Sequence, residues 1–324
     1  MSEGRVQWAH PPGIPEGEGT VVTVGTFDGV HRGHWSVLEE IRRRARETDR
    51  RSVLVTFDPH PLRIVRPEHA PRLLTTPTEK KEILAESGLD YAVFLRFTPA
   101  LSRYSPRRFV EEILVERLRV RELVIGYDHG FGKDRSGDAD TLRTIGAEAG
   151  FAVDVVAPVE TIGDAVSSTR IRSAVAAGRL DEATACLGRP YSLRGLVSRG
   201  EGRGRHLGFP TANLQVRQAD KLIPPAGIYA VWGVLRDGVF MGALHLGPRP
   251  TFQGSPPSIE LHLLDFERDL YGEEVRVDFV ERLRGVEPFD SVEALVAQMQ
   301  RDVARSREVL GEDRPERPRP RESS

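Results

Sequence analysis

The chain has 324 residues, 39% apolar and 29% charged, with a net charge of −2; that is length for about two domains and enough apolar content for each to bury a core. The near-neutral balance excludes the global basic field that gathers nucleic acid, and a single cysteine, Cys186, excludes internal disulfides and thiol metal clusters. No apolar run approaches the ~18 residues of a membrane span and no positive-then-apolar leader opens the chain, so a cytoplasmic protein engaging neither nucleic acid nor membrane is expected.

Taken in order, the first half alternates strand and helix signals. Thr20–Gly25 is a β-branched run ending in Gly. Gly33–Thr48 carries Trp35, Leu38, Ile41 and Ala45 at helical spacing, with the basic run Arg42–Arg44 fitting a solvated face. Ser52–Phe57 is a second strand. Thr76-Pro77-Thr78-Glu79 is a capping box with Pro at the first helical position, opening a helix to about Glu86 that Gly88 stops. Tyr91–Phe97 is a third strand, and Ser105-Pro106 opens a helix through Phe109, Ile113 and Leu118. Arg121–Gly126 and Phe151–Ala157 are strands flanking helical Ala139–Ala149, and helical Ser168–Ala177 and Leu180–Leu187 close the half. The β-α-β-α order predicts an α/β doubly wound, Rossmann-like parallel sheet.

At Gly188-Arg189-Pro190 the pattern changes. Tyr191–Val197, Gly227–Leu235, Val239–Leu246, Ile259–Phe266 and Glu274–Val280 are short strand-like runs between Gly and Pro, followed by helical Ser291–Leu310. They predict a small antiparallel barrel or sandwich with a C-terminal helix. The expected division is 1–187, 188–311, and a Pro- and charge-rich tail, 312–324, with no apolar content and no basis for a core.

Two loops carry chemistry. Gly25-Thr26-Phe27-Asp28-Gly29-Val30-His31-Arg32-Gly33-His34 follows a strand and enters a helix. Ligands of open parallel sheets bind at that edge, and helix N-termini favour phosphate. Gly25, Gly29 and Gly33 permit close backbone approach, and His31 and His34 can stabilise charge on an α-phosphate and its leaving pyrophosphate. A zinc pair is the alternative, and no third ligand stands near in sequence. Ser167-Ser168-Thr169-Arg170-Ile171-Arg172 offers hydroxyls, free N–H groups and guanidiniums for further phosphates, or simply an N-cap. Phe57-Asp58-Pro59-His60-Pro61 ends a strand and could be only a rigid turn. The Gly126–Lys133 loop, with Asp128 and Phe131, suits a flat ring.

These segments in this order resemble the adenylyltransferase half of the bacterial bifunctional riboflavin kinase/FMN adenylyltransferase (FAD synthetase) family. The resemblance implies that Gly25, Phe27, Asp28, Gly29, His31, Gly33, His34, Ser168, Thr169 and Arg170 form an ATP site, with His31 and His34 on the phosphates. It places Phe57, Pro59, His60, Asp128 and Phe131 near the flavin. The flavin loop departs from the family pattern at His129, where an aromatic is usual.

The second loop runs from Gly200 through Gly202, Gly204, Gly208, Phe209, Pro210, Thr211 and Ala212 to Asn213. Its glycines expose N–H groups to an anion, and Thr211 and Asn213 offer neutral oxygens two residues apart, suited to phosphate-bound Mg²⁺; the alternative is a Pro turn. On Ser258–Phe266, Glu260 and His262 face opposite to Ile259, Leu261 and Leu263. Glu260 is then a general base for an attacking hydroxyl, or an ordinary solvent-facing Glu. Gly208–Asn213, Gly227–Ala230, Arg249–Phe252, Glu260–Phe266 and Asp269–Gly272 together resemble the riboflavin kinase module, a six-stranded barrel in that family. The resemblance implies Thr211 and Asn213 as Mg²⁺ ligands, Glu260 as base, and ATP and flavin contacts from Gly202 to Asn213. It spans about residues 20–310 and implies two ATP-dependent steps, riboflavin to FMN with ADP released, then FMN to FAD with pyrophosphate released; a monomer or weak homo-oligomer is expected. Three rivals stay open: a kinase whose first half is silent, a flavin sensor without turnover, and adenylyl transfer to another phosphate.

Overall fold

The computed structural model describes residues 19–127, 138–161, 163–199, 207–247 and 258–311. The chain divides into two compact units, Met1–Ser168 and Thr169–Ser324.

In the first unit, β1 (Thr20–Val24), β2 (Arg51–Asp58), β3 (Tyr91–Arg96), β4 (Val120–Gly126) and β5 (Ala152–Val156) form one sheet in the order β3-β2-β1-β4-β5. Every pairing in it is parallel. β1 is central and wholly buried, which is why its sequence is continuously β-branched rather than alternating. Its alternate side chains still go to opposite faces. Val21 joins Val37, Leu38 and Ile41 of α1 (Arg32–Glu47). Val22 and Val24 join a larger cluster with Val53, Ile113, Leu142 and Ile145. Helices thus cover both faces, and the order reverses between β1 and β4, so the crevice lies at their C-terminal ends.

The remaining helices are α2 (Leu62–Val65), α3 (Pro77–Ala85), α4 (Pro106–Phe109) and α5 (Ala139–Ala149). The capping box at α3 forms as expected: Glu79 N–H donates to Thr76 Oγ1 at 3.2 Å, and Thr76 N–H donates to Glu79 Oε2 at 2.8 Å. The helix expected after Ser105 forms differently. α4 is one turn long and continues as a π-helix over Val110–Val115. The apolar spacing gives the reason. Ile113 and Leu118 lie five apart and are both buried, and Leu118 N–H donates to Ile113 O at 3.2 Å, a bond of that same span. Glu160–Thr161 (β6) and Asp164–Ala165 (β7) form a small hairpin that the sequence did not announce.

The second unit opens with α6 (Ser168–Ala176) and α7 (Leu180–Leu187), the latter packed on the barrel strands β8 and β13. The barrel is closed. β8 (Tyr191–Ser198), β9 (Ala212–Gln215), β10 (Gly227–Val234), β11 (Val239–Gly247), β12 (Ser258–Leu263) and β13 (Glu274–Arg284) run in the order β10-β11-β12-β9-β8-β13. Closure leaves no edge to aggregate. Tyr229 packs edge-on to Phe279, with ring centroids 5.2 Å apart, and Tyr191 sends its hydroxyl to Leu222 O at 2.6 Å. α8 (Val292–Leu310) covers the outside, laying Leu310 against Ala230, Trp232, Val234 and Val239. The expected tail, 312–324, lies outside the described residues.

Arg284 of β13 grips Asp302 of α8 through three hydrogen bonds of 2.7 to 3.2 Å, and Asp302 is only 9% exposed. Asp302→Ala leaves that guanidinium only Gly285 O and Glu287 and should lower the unfolding free energy of this unit by about 2 kcal/mol in denaturant titration.

Candidate functional site

The loop after β1 takes a path few residues adopt. Phe27, Gly29 and Val30 have φ of 47°, 83° and 40°, the left-handed region that bulky residues avoid. Compensation comes from Asp28, 1% exposed. Its carboxylate accepts from Leu74 N–H and Thr75 N–H, each at 3.0 Å, and from Thr75 Oγ1 at 3.2 Å. Thr75 Oγ1 also accepts from Gly29 N–H at 3.0 Å. Asp28 therefore shapes the loop from behind, and Ser168 donates its hydroxyl to Asp28 O at 2.9 Å.

His31 is the N-cap of α1 and His34 its third residue. Each ring caps the other's backbone: His34 N–H donates to His31 Nδ1 and His31 N–H to His34 Nδ1, both at 3.3 Å. The rings stack 3.6 Å apart, and Phe27 stacks on His34 at 4.4 Å. An Nδ1 that accepts an amide proton holds none itself, so each neutral imidazole carries its hydrogen at Nε2. The His-x-Gly-His spacing is thus a capping box made of imidazoles, which sets two imidazoles beside a helix N-terminus. The first turn of α1 holds no acidic residue, leaving its positive end for an anion. Gly33 packs closely: a Cβ there would stand 3.3 Å from two atoms of the His31 ring and press on it.

The other residues expected at this site are placed variously. Phe57 is buried, edge-on to Phe97 at 5.4 Å. Pro59 follows a cis peptide and is half-buried. His60 Nδ1 accepts from Leu62 N–H at 3.2 Å, opening α2. Thr169 is exposed, and Arg170 pairs with Glu182 at 2.9 Å within the second unit. Asp128 and Phe131, with His129, lie outside the described residues. Two residues not singled out in the sequence also hold this loop: Lys80 and Thr56 both donate to Thr26 O, at 2.6 and 2.9 Å. The strong capping box four residues before Lys80 was the only available signal.

In the second unit, the register brings together what the sequence separates. Asn213 of β9 lies directly opposite Glu260 of β12, so their side chains share a face. Ser258 Oγ donates to Glu260 Oε1 at 2.9 Å. His262, two residues on and on the same face, meets Pro210 O through Nδ1 at 2.8 Å, and its ring lies 5.6 Å from that of Phe209. One strand therefore carries Glu260 and anchors the turn bearing Thr211. That turn passes through Gly208 at φ 83°. Thr211 borders a pocket with Pro210, Leu263, Phe266, Asp269 and Tyr271. On the other side of β12, His245 of β11 lies opposite Glu260; burial pushes its pKa down, with the Glu260 carboxylate acting the other way. Gly202, Gly204 and the 249–252 segment lie outside the described residues.

Comparison with known proteins matches the two halves of the chain to different families. The FAD synthetase family model matches residues 14–170 and the riboflavin kinase family model residues 187–310. A bifunctional riboflavin kinase/FMN adenylyltransferase of Escherichia coli (strain K12) is 37% identical over 92% of this chain and 95% of its own. One of the same description from Pseudomonas fluorescens is 40% identical over 90% and 94%. A crystal structure from Streptococcus pneumoniae, described as a macrolide-efflux protein, superposes with a TM-score of 0.82 at 31% identity, covering 90% of this chain and 95% of that one. That description is of that protein; here, among the described residues, no helix is long and apolar enough to cross a membrane. With both halves matched in order and curated relatives aligned over nearly the whole length, the chain belongs to the bifunctional riboflavin kinase/FMN adenylyltransferase family.

Proposed function

We infer that the chain carries both reactions of its family, ATP-dependent phosphorylation of riboflavin to FMN and adenylylation of FMN to FAD, and that each proceeds at one of the two sites described. What supports the reading is a pair of unlike features, an imidazole-capped helix start in one unit and, in the other, Asn213 directly opposite Glu260. The proposed domain assignment is 1–187 for adenylylation and 188–311 for phosphorylation; the family models match 14–170 and 187–310, and the compact units divide at Ser168/Thr169.

In phosphorylation, Glu260 takes the proton of the riboflavin 5′-hydroxyl as its oxygen attacks the γ-phosphorus of ATP, and ADP leaves. Ser258 holds one carboxylate oxygen. The donor set of Thr211 and Asn213 fits Mg²⁺: both are neutral oxygens two apart on an extended chain. Among the described residues no group of three or more His, Cys, Asp or Glu gathers for a metal, so the remaining ligands would be phosphate oxygens and water. When bound, the ion neutralises phosphate charge.

In adenylylation, a phosphate oxygen of FMN attacks the α-phosphorus of a second ATP and pyrophosphate leaves. His31 and His34 donate from Nε2 to the charge that develops, and no covalent enzyme intermediate is required. Within this proposal the chain acts in the cytoplasm, apart from nucleic acid and membrane, as a monomer or weak homo-oligomer.

Chromatography of products from riboflavin, and separately from FMN, with Mg-ATP tests the reading. His31→Ala should stop FAD formation while FMN still accumulates from riboflavin, and Glu260→Gln should stop riboflavin phosphorylation while added FMN is still converted. Loss of kinase activity in His31→Ala with FAD synthesis intact would sink the assignment. Gly33→Ala crowds the His31 ring and should lower the FAD-forming kcat about tenfold, with phosphorylation unchanged. His262→Ala releases the Pro210 carbonyl; phosphorylation should fall about tenfold with adenylylation unaffected, as paired initial rates on one sample would show.

A further inference from the structure

Lys80 is a buried lysine that the reaction scheme leaves unused. It lies on α3, 7% exposed, and its Nζ donates to Thr26 O at 2.6 Å. The fully buried Thr56 donates its hydroxyl to the same carbonyl at 2.9 Å. Two donors, one of them cationic, thus hold a single backbone oxygen, a charge-assisted arrangement stronger than an ordinary turn bond. Burial pushes the Lys80 pKa down, and the carboxylates of Asp28 and Asp58 act the other way.

The consequence lies one peptide along. In a trans peptide the carbonyl and the following N–H point in opposite directions. A Thr26 oxygen drawn back toward α3 and β2 turns the Phe27 N–H outward, away from the core. Phe27 sits at φ 47°, a conformation a bulky residue holds only when its surroundings impose it. Its ring stacks on His34, so the residue whose peptide is held also packs on the imidazole.

We propose that Lys80 is a positioning residue for adenylyl transfer: with Thr56 it fixes the Thr26–Phe27 peptide so that the Phe27 N–H and the His34 ring face the phosphates together. This rests on the reading of residues 25–34 as the phosphate site. The Lys80 Nζ is engaged by the Thr26 carbonyl. It acts through the backbone, and removing it should misplace donors that matter most as charge builds on the leaving pyrophosphate.

The test uses the full-length chain with FMN and Mg-ATP, and riboflavin phosphorylation measured on the same sample. Lys80→Met should lower the kcat of FAD formation about a hundredfold, with a far smaller change in KM for ATP and no change in phosphorylation. Thr56→Val, which removes the second donor, should lower the same kcat about tenfold. A KM effect alone, or a kcat within a few-fold of the parent in a folded Lys80→Met protein, overturns the proposal. If Lys80→Met does not fold, Thr56→Val decides by the same readout, and an unchanged kcat overturns it. His31→Ala separates the two levels. If it still makes FAD, the phosphate-site reading fails. If it does not, while Lys80→Met and Thr56→Val keep their kcat, only the role of Lys80 fails.

Discussion

A buried carboxylate shapes the first site. Asp28 lies at the one place where the chain must leave β1, turn through three left-handed residues and start α1. Such conformations cost about 1–3 kcal/mol each, and no local preference for them exists at Phe27 or Val30. Satisfying Asp28 from the backbone of Leu74 and Thr75 makes the path the least costly one available, because an unpaired carboxylate in that interior would cost more. The reciprocal cap of His31 and His34 begins where that path ends.

In the proposed reading, the two units meet the same electrostatic problem with different materials. A parallel sheet ends its strands at helix N-termini, so the first unit already has a positive backbone terminus and needs only neutral donors aimed with it. A closed antiparallel barrel has no such dipole. Its asset is the ladder: opposite residues share a face, so Asn213, Glu260 and His245 line up across three strands although they are far apart in sequence. His262 adds the tie to Pro210 that a turn between strands lacks on its own.

Much of this was legible from residue pattern, and the departures have physical causes. The β-branched strands, the capping box at Thr76 and the helix Ala139–Ala149 are local signals, and all three formed. β9 went unrecognised because its only buried apolar residue is Leu214, within a motif whose chemistry masks its strand character. The π-helix after Phe109 is a compromise between hydrogen bonding and burial that helical periodicity does not anticipate. The packing of Phe57 against Phe97 and the bonds from the Asp28 carboxylate to the 74–75 backbone are long-range contacts that no local pattern specifies.

Residue order alone determined most of the strands and helices, though not β9, the β6–β7 pair or the π-helix, that the grammar changes near residue 188, and which short motifs hold groups able to meet a phosphate. These follow from propensities and periodicities that act over a few residues. Tertiary structure decided the rest: that Lys80 and Thr56 converge on one carbonyl, that Glu260 faces Asn213, and which nitrogen of each imidazole carries the proton. Each of these joins groups brought near by folding, or depends on a backbone angle that no local pattern specifies, because sheet register and burial arise only when the whole unit closes on its core.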